Sequence, residues 1–339
     1  MSPRAELRLA GPSLLPSFQA VSGRSSRLGR RLEKAKLESV RDGLWATAVG
    51  VSVTLRLWCS VRLTATATEA LAPLASSCFV TLWSLLLSAL FTAPFVPMSV
   101  RDLRGQARSI LAGLCTLPAF ALVAAASTLG LGLTQMILRL STLSTALALD
   151  AFGGKSSSNL TSRISGTLTV FAGVAMGILS GTSTDGSLAS RGFAAGLVAT
   201  LLAGVCYVLQ ARLMQAASDR SPATDALVCQ LTNALVHIPV LLLFSASGVT
   251  FSGPHFADWP LWLFTGLQGV FYLRSMQVLP PRLGYSTTFA LSLWGQLATA
   301  SFLDFQKMGA AAFSANRLLA LALVVLGAAV SACGSSAKK

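Results

Sequence analysis

The chain has 339 residues, of which 53% are apolar and only 11% charged, and its mean hydropathy is +0.66. Soluble domains carry about 25% charged residues, so a water-soluble enzyme of this length is excluded and the useful question is how often the chain crosses a bilayer. The net charge of +14 would suggest nucleic acid in a soluble protein. Here its placement along the chain speaks for membrane topology, and no nucleic-acid partner is expected.

Residues 1–42 hold nine of the 26 Lys and Arg, together with Glu6, Glu33, Glu38 and Asp42. No apolar run precedes the arginines, so the segment is not a secretory signal. Two readings stay open: an organellar transit peptide, because it is rich in Arg and Ser up to Arg31, or a soluble cytosolic tail. Beyond it, apolar runs of about 20 residues, the length needed to cross a bilayer, recur at 43–63, 71–94, 107–126, 129–149, 163–181, 192–214, 223–245, 258–277, 284–304 and 316–335. Pro94, Pro97, Gly153-Gly154, Asp185-Gly186, Ser221-Pro222, Ser252-Gly253-Pro254 and Pro280-Pro281 read as the connections. The alternating polarity of a transmembrane barrel is missing, so the expected fold is an all-α membrane protein of about ten helices. Alternating the loops puts twenty basic residues on the side of the N-terminal tail and four, Arg62, Arg191, Lys307 and Arg317, on the other. Both termini are therefore expected in the cytosol, or in the equivalent compartment of an organelle if the tail is a transit peptide.

The membrane region repeats itself. Gly43-Leu44 with Ala46-Thr47 recurs as Gly196-Leu197 with Ala199-Thr200, and Gly113-Leu114 as Gly266-Leu267, at an offset of 153. Leu129-Gly130 matches Leu283-Gly284, and Asp150, Arg163 and Gly173 match Asp304, Arg317 and Gly327, at 154. The predicted domains are a five-helix repeat at 43–181 and a second at 192–335. An odd number of spans makes tandem copies enter the membrane from opposite sides, so the repeats are expected to be inverted, as in transporters that rock two bundles around a midplane site. The loop charges of the two halves are biased in opposite senses, as inversion requires.

Pro281-Arg282-Leu283-Gly284, Gly295-Gln296-Leu297 and Leu303-Asp304 resemble the hallmark of the YdcZ-like inner-membrane exporters of the drug/metabolite transporter superfamily. Leu209-Gln210-Ala211 is similar to that family's first-helix Gln-Ala motif. The resemblance is specific over 196–335 and degraded over 43–181, where Ser141-Thr142 replaces the Gly-Gln pair and Leu57 stands opposite Gln210. It implies a fused form of two five-helix units and a substrate site to which the second half contributes more hydrogen bonds. Single units of the family are often paired, which leaves a second copy of the chain open as a partner.

Polar residues within the spans are the candidate site. Arg139 shares a helix face with Gln135 and Thr142, and an ionised side chain at mid-bilayer costs about 2.5 to 3.5 kcal/mol. It either binds an anionic substrate or forms a structural pair. Arg56 lies close enough to a span end to snorkel and is read as structural. Gln296, with Ser292 and Thr299, forms a second polar face that presents Trp294 nearby. Gln230, Asn233 and His237 make a third stripe, read as helix packing, with His237 a candidate for proton coupling. Asp150 and Asp304 read as helix ends. The six cysteines all sit in apolar runs and read as reduced thiols.

Enzyme chemistry is not expected. Gly154-Lys155-Ser156 lacks the glycine of a phosphate loop five places earlier, two histidines do not build a conventional metal site, and no cofactor is called for. The sequon Asn159-Leu160-Thr161 falls on the cytosolic side of the expected topology. The leading expectation is a secondary transporter of a small organic metabolite or amphiphile, anionic if Arg139 binds it, working by alternating access. The competing class is a membrane scaffold or assembly factor that kept the fold and lost the site.

Overall fold

The computed structural model describes residues 18–67, 73–96, 106–152, 160–182, 191–217, 221–251, 256–283, 285–309 and 314–333. The sequon at Asn159 and the Gly154-Lys155-Ser156 segment lie outside them. Every regular element among the described residues is helical: α1 (Phe18–Ala67), α2 (Pro73–Thr92), α3 (Ala107–Cys115), α4 (Ala121–Leu129), α5 (Leu131–Phe152), α6 (Leu160–Thr182), α7 (Arg191–Ala217), α8 (Pro222–Ala246), α9 (Trp259–Leu283), α10 (Tyr285–Met308) and α11 (Ala315–Cys333). The chain divides into two compact units, Met1–Arg41 and Asp42–Lys339. The description below concerns the second.

Among the described residues six stretches are long and apolar enough to cross a membrane: Val40–Thr64, Pro73–Phe95, Ala107–Leu129, Thr161–Leu179, Gly192–Met214 and Pro222–Ala246. The apolar part of α11, Ala315–Ser331, is shorter. Helices α5, α9 and α10 have the length but a lower mean hydropathy, because they carry Gln135, Arg139, Gln268, Gln277, Ser292 and Gln296 on buried faces.

Two local features differ from the sequence expectation. The third span is broken, because Pro118 has no N–H to give and its ring crowds the carbonyl four residues back. Helix α3 therefore stops at Cys115, a short 3-10 turn covers Leu117–Phe120, and α4 resumes at Ala121. The Thr116 hydroxyl donates to the Gly113 carbonyl at 2.9 Å, which satisfies one group freed by the break. Conversely, Pro280-Pro281 does not sit in a connection; the prolines fall in the last turn of α9, which ends at Leu283.

Packing is tightest between α6 and α11. A Cβ placed on Gly166 would lie 2.5 Å from the Gly327 carbonyl oxygen, and one on Gly327 would lie 2.5 Å from that of Gly166, so only glycine allows this approach. Helix α2 packs on α8 and α9, α3 on α7 and α8, and α5 on α7 and α10. Close crossings also join α1 to α10, where a Cβ on Gly50 would strike the Ser292 carbonyl and one on Gly295 the Thr47 carbonyl, and α7 to α5, where a Cβ on Gly204 would lie 3.0 Å from the Leu138 carbonyl. One core cluster, with Met136, Ile137, Val170, Val174, Leu293 and Val324, fills the space among α5, α6, α10 and α11.

Candidate functional site

A cavity of about 130 Å³ lies inside the bundle, walled by α1, α2, the broken third span, α5, α7, α8, α9 and α10. One water needs only about 10 to 15 Å³, so the space suits a small organic molecule. Helices α6 and α11 contribute nothing to its wall. Its lining includes two charged residues, Arg56 and Arg139, and neither Asp nor Glu.

Arg139 reaches the cavity because residues 135, 138, 139 and 142 share one face of α5. It is 2% exposed. Its Nη2 donates to Gln296 Oε1 at 2.9 Å, and Gln296 Nε2 donates in turn to Ser292 Oγ at 3.5 Å. The guanidinium carbon stands 5.6 Å from the centre of the Phe289 ring, within cation–π range. Its Nε and Nη1 have no hydrogen-bond partner among the described residues, and neither has either amide atom of Gln135, one turn earlier and fully buried. A buried polar group left in that state costs about 1 to 3 kcal/mol.

Arg56 enters the cavity from α1. Its Nη1 donates to Gln268 Oε1 at 3.1 Å, and Gln268 Nε2 donates to Ser52 Oγ at 3.4 Å. Tyr207 and Tyr272 stand at the same wall, edge to face with ring centres 6.1 Å apart, and Tyr272 lies within electrostatic reach of both guanidinium groups. On α8, Gln230 accepts from the Thr92 hydroxyl at 3.0 Å while its Nε2 lacks a partner, as does Asn233 Oδ1.

The structure brings Gln135, Arg139, Gln210 and Gln296 to one cavity. Gln210 donates to Cys229 Sγ at 3.4 Å, a weak bond that leaves its amide at the wall. Trp294 is a correction: it is 50% exposed and does not line the cavity, because two residues along a helix rotate a side chain about 200° away from Gln296. His237 lies behind the wall, fully buried, with Nδ1 2.6 Å from the Asn233 carbonyl and its ring edge-on to Phe120 at 5.6 Å. The Nδ1–H donates there, so Nε2 is the free acceptor, and it has no partner. Arg56 is a second correction, since Gln268 holds it inward. Gln268 and Tyr272 went unread in the sequence although they lie four residues apart on one helix face, which was the available signal.

An apolar helical bundle with a partly open, mostly apolar internal cavity that carries polar groups on its wall is the architecture of a membrane protein with room for a small molecule. Residues 195–330 match the family described as "Putative inner membrane exporter, YdcZ". The second half of the chain is thus similar to the YdcZ exporters, and with its apolar spans the chain is an integral, multi-pass membrane protein. A solved structure titled "Crystal structure of protein" shares the fold, with a TM-score of 0.56 and 19% identity over 86% of this chain and 97% of that one. No curated protein matches the chain.

Proposed function

We propose that the protein is a ten-span secondary transporter that moves a small organic molecule by alternating access between two inverted five-helix repeats, 43–181 and 192–335. The observation that carries this reading is the cavity, where side chains from both repeats converge and several buried polar groups lack partners. A scaffold gains nothing from unpartnered groups, since buried polar atoms in packed proteins are ordinarily satisfied. A transporter needs them free for its cargo.

The repeat reading draws support from contacts that recur at the offset of 154. Gly50 meets the Ser292 carbonyl, and Gly204 meets that of Leu138. Gly295 meets the Thr47 carbonyl, while Ser141 donates to that of Leu201 at 2.5 Å. Gly173 faces Ala320 as Gly327 faces Gly166. Such exchanged pairs are what a two-fold axis in the membrane plane produces. The polar wall does not follow the exchange, because Arg139 and Gln135 are related to Leu293 and Phe289. The two ends of the transport path would therefore differ in chemistry while sharing a frame.

In this reading Arg139, Gln135, Gln296 and Gln210 contact the cargo, and His237, whose Nε2 is unpartnered, is the proton-coupling candidate. Both termini share one side of the membrane. The test is flux through purified protein in liposomes, screened with organic anions, cations and neutral solutes. Saturable flux of one class, lost in Arg139→Gln, is expected; absence of flux for every class would favour the scaffold. Glycosylation at Asn159 in a cell that modifies luminal loops would overturn the orientation.

A further inference from the structure

The cavity states more about its occupant than polarity. Among the described residues no carboxylate reaches Arg56 or Arg139, whose polar contacts are the amide oxygens of Gln268 and Gln296. A buried guanidinium stays charged, and two of them in a low-dielectric bundle leave two positive charges uncompensated. The partnerless atoms of the lining residues are biased the same way. Four are donors: Arg139 Nε and Nη1, Gln135 Nε2 and Gln230 Nε2. Two are acceptors: Gln135 Oε1 and Asn233 Oδ1.

We infer that the cargo is an organic dianion, carboxylate or phosphate ester, whose negative groups lie against Arg56 and Arg139 and whose body carries at least one hydroxyl facing Gln135 and Asn233. The inference rests on the transporter reading only for the word cargo. The charge count asks for two negative charges, the surplus donors for an oxygen-rich headgroup, and the two free acceptors for a hydroxyl. The Tyr207–Tyr272 pair, Phe289 and aliphatic side chains such as Leu85, Leu122 and Met276 make up the rest of the wall, which gives a short carbon body an apolar surface to lie against.

The experiment is a thermal melt of the full-length protein in detergent with single probes at millimolar concentration: malate, succinate, lactate, glycerol 3-phosphate, glucose and choline. Malate or glycerol 3-phosphate should raise the melting temperature, and whichever is stronger identifies the headgroup. Succinate, which lacks the hydroxyl, and lactate, which lacks the second charge, should each bind several-fold to tenfold more weakly. Arg56→Gln and Arg139→Gln should each reduce dianion affinity about tenfold or more and bring the dianion-to-monoanion ratio toward one, while Arg56→Lys restores much of it. The melts without probe show whether each variant is folded. Stabilisation by choline or glucose equal to that by malate, no shift with any anion, or an unchanged ratio in both glutamine variants would overturn the inference. Flux in liposomes separates it from the transporter reading: dianion binding without flux leaves this inference standing and removes the other, and flux of a cation does the reverse.

Discussion

Helices α6 and α11 and helices α5 and α10 form two pairs that the proposed exchange of halves would map onto themselves, yet they are built for opposite ends. The first pair meets through glycine backbones, with Val170, Val174, Val324 and Ala328 buried around Gly166 and Gly327. It touches no part of the cavity. The second meets through a guanidinium and an amide, Arg139 and Gln296, 2.9 Å apart at the cavity wall. Helix α5 has a side in each region: Met136, Ile137 and Leu143 enter the dry seam, while Gln135 and Arg139 enter the cavity. Under the proposed function, stability and recognition fall on different faces of the same helix, and substitutions should separate them.

The largest effect should come from the seam. Gly327→Leu has no room beside the Gly166 carbonyl, and we expect loss of folded protein on detergent size exclusion. Gly327→Ala, with a Cβ 2.5 Å from that oxygen, should destabilise by about 1 to 3 kcal/mol in a thermal melt while cargo selectivity persists among the molecules that fold. Wild-type stability in the alanine variant would show that the helices part easily and that the seam is not where stability lies.

The cavity should behave in the opposite way. Arg139→Gln removes a buried charge that no carboxylate offsets, so the melting temperature should hold or rise while transport falls at least tenfold. A clear drop in melting temperature with transport retained would make Arg139 a structural residue and dissolve the contrast between the two pairs. A smaller step follows at its partner. Gln296→Leu takes away the acceptor for Arg139 Nη2, and a hydrogen bond is worth about 0.5 to 1.5 kcal/mol; transport should weaken roughly two- to tenfold, with the maximal rate less affected than the half-saturating concentration.

How much of this was legible in the sequence follows from which physical signal each feature emits. Hydropathy marks a helix that is apolar over most of its circumference, so six stretches among the described residues stand out whether or not they touch the cavity. Helices α5, α9 and α10 dilute that signal with their cavity residues, and the expectation that they span the membrane rests on length and repetition. Gln135, Arg139 and Gln296 could be found because polar side chains three or four apart in an apolar run declare a face. The direction of Arg56 could not, because snorkelling and inward pointing need the same residue in the same run, and only the position of Gln268 on a distant helix decides between them. Trp294 shows a simpler limit: two residues from Gln296 in sequence, it lies about 200° round the helix from it, so nearness along the chain is not nearness in space. Pro118 was visible as a residue, but a break within a span and a kink within one read alike until the 3-10 turn is seen.

The smallest effect is expected at the end of the bundle, where Arg282 of α9 donates through Nη1 to Asp42 Oδ1 of α1 at 3.4 Å. The Arg282 side chain is 49% exposed and that of Asp42 8%. Water screens a half-exposed pair, so Arg282→Gln should cost no more than about 1 kcal/mol, far less than the seam variants and without the transport loss of Arg139→Gln. The sign of the salt effect checks the physics: at 1 M salt the Debye length falls to about 3 Å, and the melting difference between wild type and variant should shrink toward zero. A loss approaching the roughly 3 to 5 kcal/mol of a broken buried pair would instead mean that Asp42 depends on Arg282 alone for its charge. That outcome would move a third region, the α1–α9 end, from the weakly held to the strongly held part of the molecule, and the division of labour would no longer run only between the seam and the cavity.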